Sequence, residues 1–382
     1  MAVASEVERR RCQDTFAALC RIPSPPGQEG ACARYVTAQL EALGVTVAED
    51  RSQAETEAEC GNLLARLPGT GEGWLLLCAH LDTVALTAEV EPVIVDGAWE
   101  NAHPGVLGAD NKAAVAVLLE AAHRWVAHPP PVGIELLFTV SEEIGLVGAK
   151  AFDAAQLHSR LGYVFDHASP IGEVVLASPT YYRVEARFRG AAAHAGIRPE
   201  QGRSAIVAAA RAVTALPHGR LDPETTVNVG TIEGGDGATN VVPEHCRLLA
   251  EARGLDGQRV EAVVAEMVDH IHDAANHSDC ACDVDVVVQR MFEGYRTRPS
   301  APAVAAAETA LRACGFEPRH IVTGGGSDAN ALQSAGLSVV NLANGTERNH
   351  QPDERVSLAA VEAMLDVTLA LPDAVLGVGA AC

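Results

Sequence analysis

The sequence predicts an α/β protein: a mostly parallel sheet covered by helices, interrupted by an inserted α+β module of ferredoxin-like order. Three observations predict it. Short apolar runs bounded by turn residues alternate with helical segments up to about residue 177. Near Ser178 the pattern changes to alternating apolar and polar residues, the signature of half-exposed strands. After residue 293 the first style resumes. The expected division is residues 1–177 and 294–382 for one domain and 178–293 for the insertion. A chain of 382 residues exceeds one ordinary core, so two domains are the default.

The elements follow in order. "MAVASEVERRRCQDTFAALC" reads as an amphipathic helix within the domain, not as a signal peptide. "RYVTAQLEALG" has helical spacing and stops at Gly44. "NLLARLPG" and "WLLLCAHLD" are short apolar strands. "NKAAVAVLLEAAHRWVAH" is a helix ended by the prolines at 129–131. "GIELLFTVSEE" and "LGYVFDHAS" are further buried strands. In the insertion, "TYYRVEARFRG" is a strand, "RSAIVAAARAVTALP" a helix, and "TTVNVGTIEGG" and "VVPEHCRLLAEARGLD" two strands around a glycine-rich turn. "QRVEAVVAEMVDHIHDAAN" is a second helix and "CDVDVVVQRM" a last strand. The resumed domain contributes the helix "APAVAAAETALRACG", the strand "LSVVNLA" and the closing helix "SLAAVEAMLDVTLALPDAVL".

A formal net charge of −22 argues against nucleic acid and anionic membrane surfaces as partners, because both select basic patches. No run of about 18 apolar residues suggests a membrane span, and a cytoplasmic location is expected. The ten cysteines are scattered, and without an export signal they read as reduced thiols, mostly in the core. Cys280 and Cys282 form a C-x-C pair, but no partners at metal-ligand spacing accompany them.

Ionisable residues recur where the buried runs end. "LLLCAHLDTV" delivers His80 and Asp82, "GVLGADNKAA" Asp110, "FTVSEEIG" Glu142 and Glu143, "YVFDHAS" Asp166, and "LANGTERNHQPDE" His350. Each has an ordinary reading alone: a strand-end histidine, a helix N-cap aspartate, a solvated glutamate turn. Together they change the odds, because ligand sites of open α/β sheets gather outside the carboxyl ends of strands. So many anions and imidazoles at one end of a sheet call for a cation between them. Histidines with carboxylates suit Zn²⁺, with Mn²⁺ or Co²⁺ as acceptable occupants. The carboxylates are too many for one tetrahedral ion; a bridged pair of ions about 3.5–4 Å apart fits better and implies hydrolysis.

"HLDTV", "GADNKAAVA", "SEEIGLVGA", "FDHAS", "AAAHAG", "GGGSDANAL" and "NHQPDE" resemble, in order and from about residue 15 to the end, the M20 family of dinuclear zinc peptidases, in particular its tripeptidase (peptidase T)-like branch. The resemblance implies a phosphorylase/hydrolase-like catalytic domain of mostly parallel sheet, with the insertion as a lid that dimerises. It implies that His80 and Asp166 hold one metal, that Glu143 and His350 hold the other, and that Asp110 bridges them. Asp82 would orient His80, and Glu142 would act as general base and then acid. A cis peptide is implied at Asp110–Asn111. His194, in "GAAAHAGIRP", would reach the partner subunit's site and help hold an oxyanion. Asn240 and Arg253 match substrate-contacting positions, with Arg253 suited to a carboxylate. The loop "TGGGSDAN", including Gly326, would bring backbone amides to the substrate. It also lacks the lysine of a phosphate-binding loop.

An aspartate at 166 goes, in this family, with aminopeptidases and dipeptidases. The implied activity is therefore hydrolysis of di- or tripeptides with a free amino terminus, by a homodimer. The alternatives are an amidohydrolase, deacylase or carboxypeptidase acting on acylated amino acids, and a non-catalytic binding protein on the same fold. "GGGSDAN" replaces the arginine-containing loop of the tripeptidases, which leaves strict tripeptide specificity open.

Overall fold

The computed structural model describes residues 3–85 and 88–378. The chain divides into two compact units: the segments before Ser178 and after Tyr295 form one, and Ser178–Tyr295 the other.

The centre of the first unit is four parallel strands in the order Gly133–Thr139, Trp74–His80, Leu161–His167 and Ser338–Ala343. They are apolar along their length because helices cover both faces of such a sheet. Leu75, Leu76, Leu77, Phe138, Tyr163 and Phe165 are buried, and each fully buried side chain of this kind contributes about 1.5–3 kcal/mol. The sheet is mixed at its flanks. Leu63–Leu67 runs antiparallel to Gly133–Thr139, Val47–Glu49 antiparallel to Leu63–Leu67, and Glu173–Ser178 antiparallel to Ser338–Ala343. The register pairs His80 with Thr139. The chain segments carrying Asp82 and the glutamate pair thus leave the sheet side by side.

The helix Ala109–Ala127 is buried over most of its length, as its alanine- and valine-rich sequence requires. Helix Glu6–Cys20 starts with a capping box, Ser5 and Glu8 satisfying each other's backbone amides. The closing helix spans Leu358–Gly377.

A small antiparallel sheet was not legible in the sequence. It joins Pro92–Val95, Ala98–Asn101, Arg355–Ser357 and Thr346–Glu347. Strands of two to four residues are too short to show a period. The sheet matters because the loop between its Thr346–Glu347 and Arg355–Ser357 strands carries His350.

The second unit is a five-stranded antiparallel sheet in the order Gly219–Asp222, Thr225–Gly234, His245–Gly254, Thr180–Arg189 and Asp283–Phe292. Without the short Gly219–Asp222 strand, this is the strand–helix–strand–strand–helix–strand module. Helices Ala205–Ala215 and Gly257–Asn276 cover one face, packing Ala208, Val260 and Met267 with Val184, Phe188 and Leu248. Nine cysteines are described and all are free, eight of them buried. Cys382 lies outside the described residues. Cys280 and Cys282 direct their thiols to backbone carbonyls, and neither belongs to a metal-competent cluster among the described residues.

Candidate metal centre

His80 is the last residue of its strand and is buried. Its Nδ1 lies 3.0 Å from the backbone carbonyl of Asp82, which fixes the ring and leaves Nε2 facing the site. Nε2 is 3.5 Å from Asp110 Oδ1 and 3.7 Å from Asp166 Oδ1. On the other side, His350 Nε2 is 3.4 Å from Asp110 Oδ2 and 3.0 Å from Glu143 Oε2. Asp110 therefore turns one oxygen to each imidazole.

The helix start that delivers Asp110 has the cis peptide at Asp110–Asn111. Asn111 ties this start to the next strand, donating to the Phe165 carbonyl at 2.7 Å and lying 3.3 Å from Asp166 Oδ1. Asp166 is held through its backbone: its amide donates to Asn341 Oδ1, and Asn341 Nδ2 donates to its carbonyl, both at 2.9 Å. His350 sits at the rim with a backbone φ of 63° and a side chain 47% exposed.

Glu142 and Glu143 follow the strand Gly133–Thr139 and lie beyond its end. Strand alternation therefore does not separate them. A turn does, beginning at Ser141 with φ 54°. Asp82 accepts from the Glu142 amide with Oδ1 and from the Glu143 amide with Oδ2, both at 3.0 Å. Its carboxylate serves the glutamate turn more than His80, whose Nδ1 is 3.5 Å from Oδ1. That refines the expectation that Asp82 orients His80 with its side chain: the carbonyl does so, and the carboxylate holds the turn.

The electrostatics are those of a site built for positive charge. Burial depresses the His80 imidazole, but hydrogen bonding to Asp110, Asp166 and Asp82 outweighs it and holds the ring well above its ordinary range. Asp110 and Glu143 push His350 up to about 10. Burial, then the charge of Asp166, pushes Glu142 well above the usual carboxylate range. Burial, then Asp110, does the same to Asp166. Two sets of donor atoms, His80 with Glu142 and Asp166, and His80 with Asp110 and Glu143, lie within 4.8 Å of one another. Tetrahedral bonds of about 2.0–2.1 Å place ligand atoms roughly 3.3 Å apart, and the separations of 3.0–3.7 Å around the two imidazoles bracket that. Glu143 Oε1 is buried without a protein partner. The residues fit a pair of divalent ions.

Several residues around the centre were not among the expected site residues. Glu354 is buried and accepts from the amides of Gly108 at 2.7 Å and Asp110 at 3.0 Å, tying the His350 loop to the helix start that carries Asp110. Asp328, buried in the glycine-rich segment, accepts from Thr139 Oγ1 at 2.5 Å. The loop at residues 22–29 reaches three of the site's segments. Ile22 accepts from Lys112 Nζ, Ser24 donates to the Leu81 carbonyl, and Glu29 accepts from Ser141.

Gly326 precedes Ser327, the N-cap of helix Asp328–Ser334, and is partly exposed. The other predicted substrate residues belong to the second unit. His194 is exposed and bridges to Val241, and the amide of Ala195 donates to the Asn240 carbonyl, so His194 and Asn240 lie on adjoining loops. Arg253 is on the strand His245–Gly254, with Nε 3.1 Å from Glu251 Oε1 and its guanidinium 4.2 Å from the centre of the Tyr181 ring.

The model of the M20 peptidase dimerisation domain matches residues 180–279, and that of peptidase family M28 matches residues 62–179. The chain is 36% identical to the aminopeptidase PepT of Bacillus cereus ATCC 10987, covering 96% of this chain and 99% of that one, with a TM-score of 0.83. It is 31% identical to a tripeptidase of Staphylococcus aureus subsp. aureus Mu50, covering 96% and 98%, with a TM-score of 0.88. It is also 31% identical over 357 residues to the acetylornithine deacetylase of Myxococcus xanthus, covering 87% of this chain and 89% of the relative. No helix among the described residues is long and apolar enough to cross a membrane. With a dimerisation module in the second unit, two imidazoles and a set of carboxylates gathered in the first, and full-length likeness to the peptidase T group, the chain belongs to the M20 family of metallopeptidases.

Proposed function

We propose that the protein is an aminopeptidase that cleaves di- or tripeptides with the help of two divalent ions, most naturally zinc, in the cytoplasm. The observation that carries the two-ion reading is Asp110, whose two oxygens face different imidazoles. His80 and Asp166 would hold one ion, Glu143 and His350 the other, with Asp110 between. Bound there, the ions would polarise the scissile carbonyl and acidify a water molecule. Glu142 takes the proton of the attacking water on its carboxylate and returns it to the leaving amine. Burial supports that role, because a carboxyl pushed upward holds a proton long enough to deliver it. Asp82 keeps Glu142 and Glu143 aimed apart by gripping both their amides.

The match of the second unit to a dimerisation domain supports a homodimer in which this unit serves as the lid. His194 and Asn240, on adjoining exposed loops, are proposed to meet substrate there, with His194 acting on the partner's site. Arg253 is proposed for a substrate carboxylate, its guanidinium lying over the Tyr181 ring. Gly326 would offer its backbone to the substrate.

The substrate reading is supported by the aminopeptidase PepT and tripeptidase neighbours and by the aspartate at 166. The deacetylase relative supports a second reading, removal of an acyl group from an amino acid. A hydrolysis panel separates them: a free tripeptide, its amino-acetylated and carboxy-amidated forms, and an N-acetyl amino acid, each with Zn²⁺, Mn²⁺ and Co²⁺. Aminopeptidase action requires cleavage of the free and amidated peptides and none of the acetylated ones. Preferential cleavage of the N-acetyl amino acid would assign the deacylase instead.

A further inference from the structure

The turn that aims Glu142 and Glu143 is gripped on three successive amides. Asp82 takes the amides of Glu142 and Glu143. Glu29 takes the one before them: its Oε1 accepts from the Ser141 amide at 2.9 Å and lies 3.1 Å from Ser141 Oγ. The same oxygen accepts from the Gly27 amide at 2.8 Å. Glu29 is fully buried, and its second oxygen, Oε2, has no protein partner. An ionisable group enclosed in this way is costly unless it has a task. Besides the nearby Gly27, its one bonded oxygen reaches a residue 112 positions away, at the point where the backbone departs from ordinary geometry. Ser141 has φ 54°, a left-handed conformation that a side chain resists. Asn62 holds the preceding amide, accepting from Val140 at 3.1 Å. The turn is therefore fixed from the strand end onward by side chains of distant segments.

We propose that Glu29 is a positioning residue for the reaction, holding Ser141 in its left-handed conformation so that Glu142 points at the reacting water. Its side-chain bonds go to Gly27 and Ser141, not to a proposed ion ligand. This rests on the assignment of Glu142 as the base. A strained conformation next to a reacting group persists only when its surroundings over-determine it, and Glu29 supplies that constraint.

The test compares Glu29→Met, which keeps the length and removes the acceptor, with Glu29→Gln, which keeps one acceptor oxygen. Each is made with Ser or Gly at position 141. Loss of a supporting contact of this type costs about 10- to 100-fold. The expected result is a fall of about that size in kcat for Glu29→Met, with KM and ion content unchanged, and a much smaller fall for Glu29→Gln. Glycine adopts a positive φ freely, so the Glu29→Met loss should shrink at least about threefold when Ser141→Gly is present, a coupling that a merely structural residue does not show. Hydrogen exchange of segment 138–145 in the metal-free protein should quicken in Glu29→Met and not in Glu29→Gln. The proposal is overturned if Glu29→Met keeps full kcat, if Glu29→Gln is as damaging as Glu29→Met, or if the loss is the same with Ser and Gly at 141. Should Glu142→Gln retain turnover, the base assignment fails. The exchange measurement still reports whether Glu29 holds the turn.

Discussion

Asp110 presents Oδ1 to His80 and Oδ2 to His350, at 3.5 and 3.4 Å from the two Nε2 atoms. One carboxylate thus joins two imidazoles that come from different parts of the fold, a strand end and a loop of the small sheet. Asp110→Asn replaces one of those oxygens by an amide that cannot ligate. It should lower the affinity for both ions. His350→Ala should cost one ion and leave the other. Elemental analysis after dialysis checks both: near-zero content for the first variant and about one ion per chain for the second.

The adjacent glutamates should separate cleanly. Glu142→Gln should lower kcat by about 10²- to 10⁴-fold, the size of a general-base contribution, with both ions retained. Glu143→Gln should release the ion shared with His350, since Glu143 Oε2 lies 3.0 Å from that ring. Steady-state kinetics with metal analysis on the same preparations distinguishes the two. A Glu142→Gln enzyme with near-normal turnover would remove Glu142 from the mechanism.

Asp82→Asn tests how the turn is held. Asp82 accepts from two amides, one per oxygen. The amide of Asn can accept only one of them and sets a donor against the other. kcat should fall by about 10- to 100-fold, with KM little changed and the His80 ring still held by the residue 82 carbonyl. Loss of metal comparable to Asp110→Asn would show that the carboxylate acts through His80 instead.

Acid sensitivity has a defined sign at the amino-terminal helix. Hydrogen bonds from Arg124, then from Ser5, hold the Glu8 carboxyl at about 2 against the opposing effect of burial. A folded-state value below the unfolded one, about 4.3, contributes stability that is fully present above that value and lost as pH falls toward 2. Glu8→Gln should therefore lower Tm most near neutral pH, and its difference from the parent should shrink between about pH 4.3 and 2. Thermal melts across that range measure it; a constant difference would contradict the pairing.

Part of the proposed ligand set was legible because two of its residues end buried apolar strands that the sheet brings together, whereas Asp110 stands at a helix start and His350 on a loop beyond its strand. His80 after "LLLCA" and Asp166 after "LGYVF" are the two. The supporting residues were not. Glu29, Asn341 and Glu354 bond to main-chain groups far along the chain, and an acceptor for a remote amide has no spacing to recognise. The glutamate pair falls between these cases. "SEE" announced two carboxylates at a strand mouth but not the backbone conformation that parts them. The left-handed Ser141 parts them in fact, and serine in that conformation is not predictable from composition. The small sheet that carries His350 escaped because its strands are two to four residues long.

The most direct measurement is the rate of hydrolysis of an unblocked tripeptide by chelator-stripped protein as Zn²⁺ is added in steps. A bridged two-ion centre predicts no activity without metal and a rise that ends at about two equivalents per chain. Full activity in the stripped protein, or a rise complete at one equivalent, would contradict it.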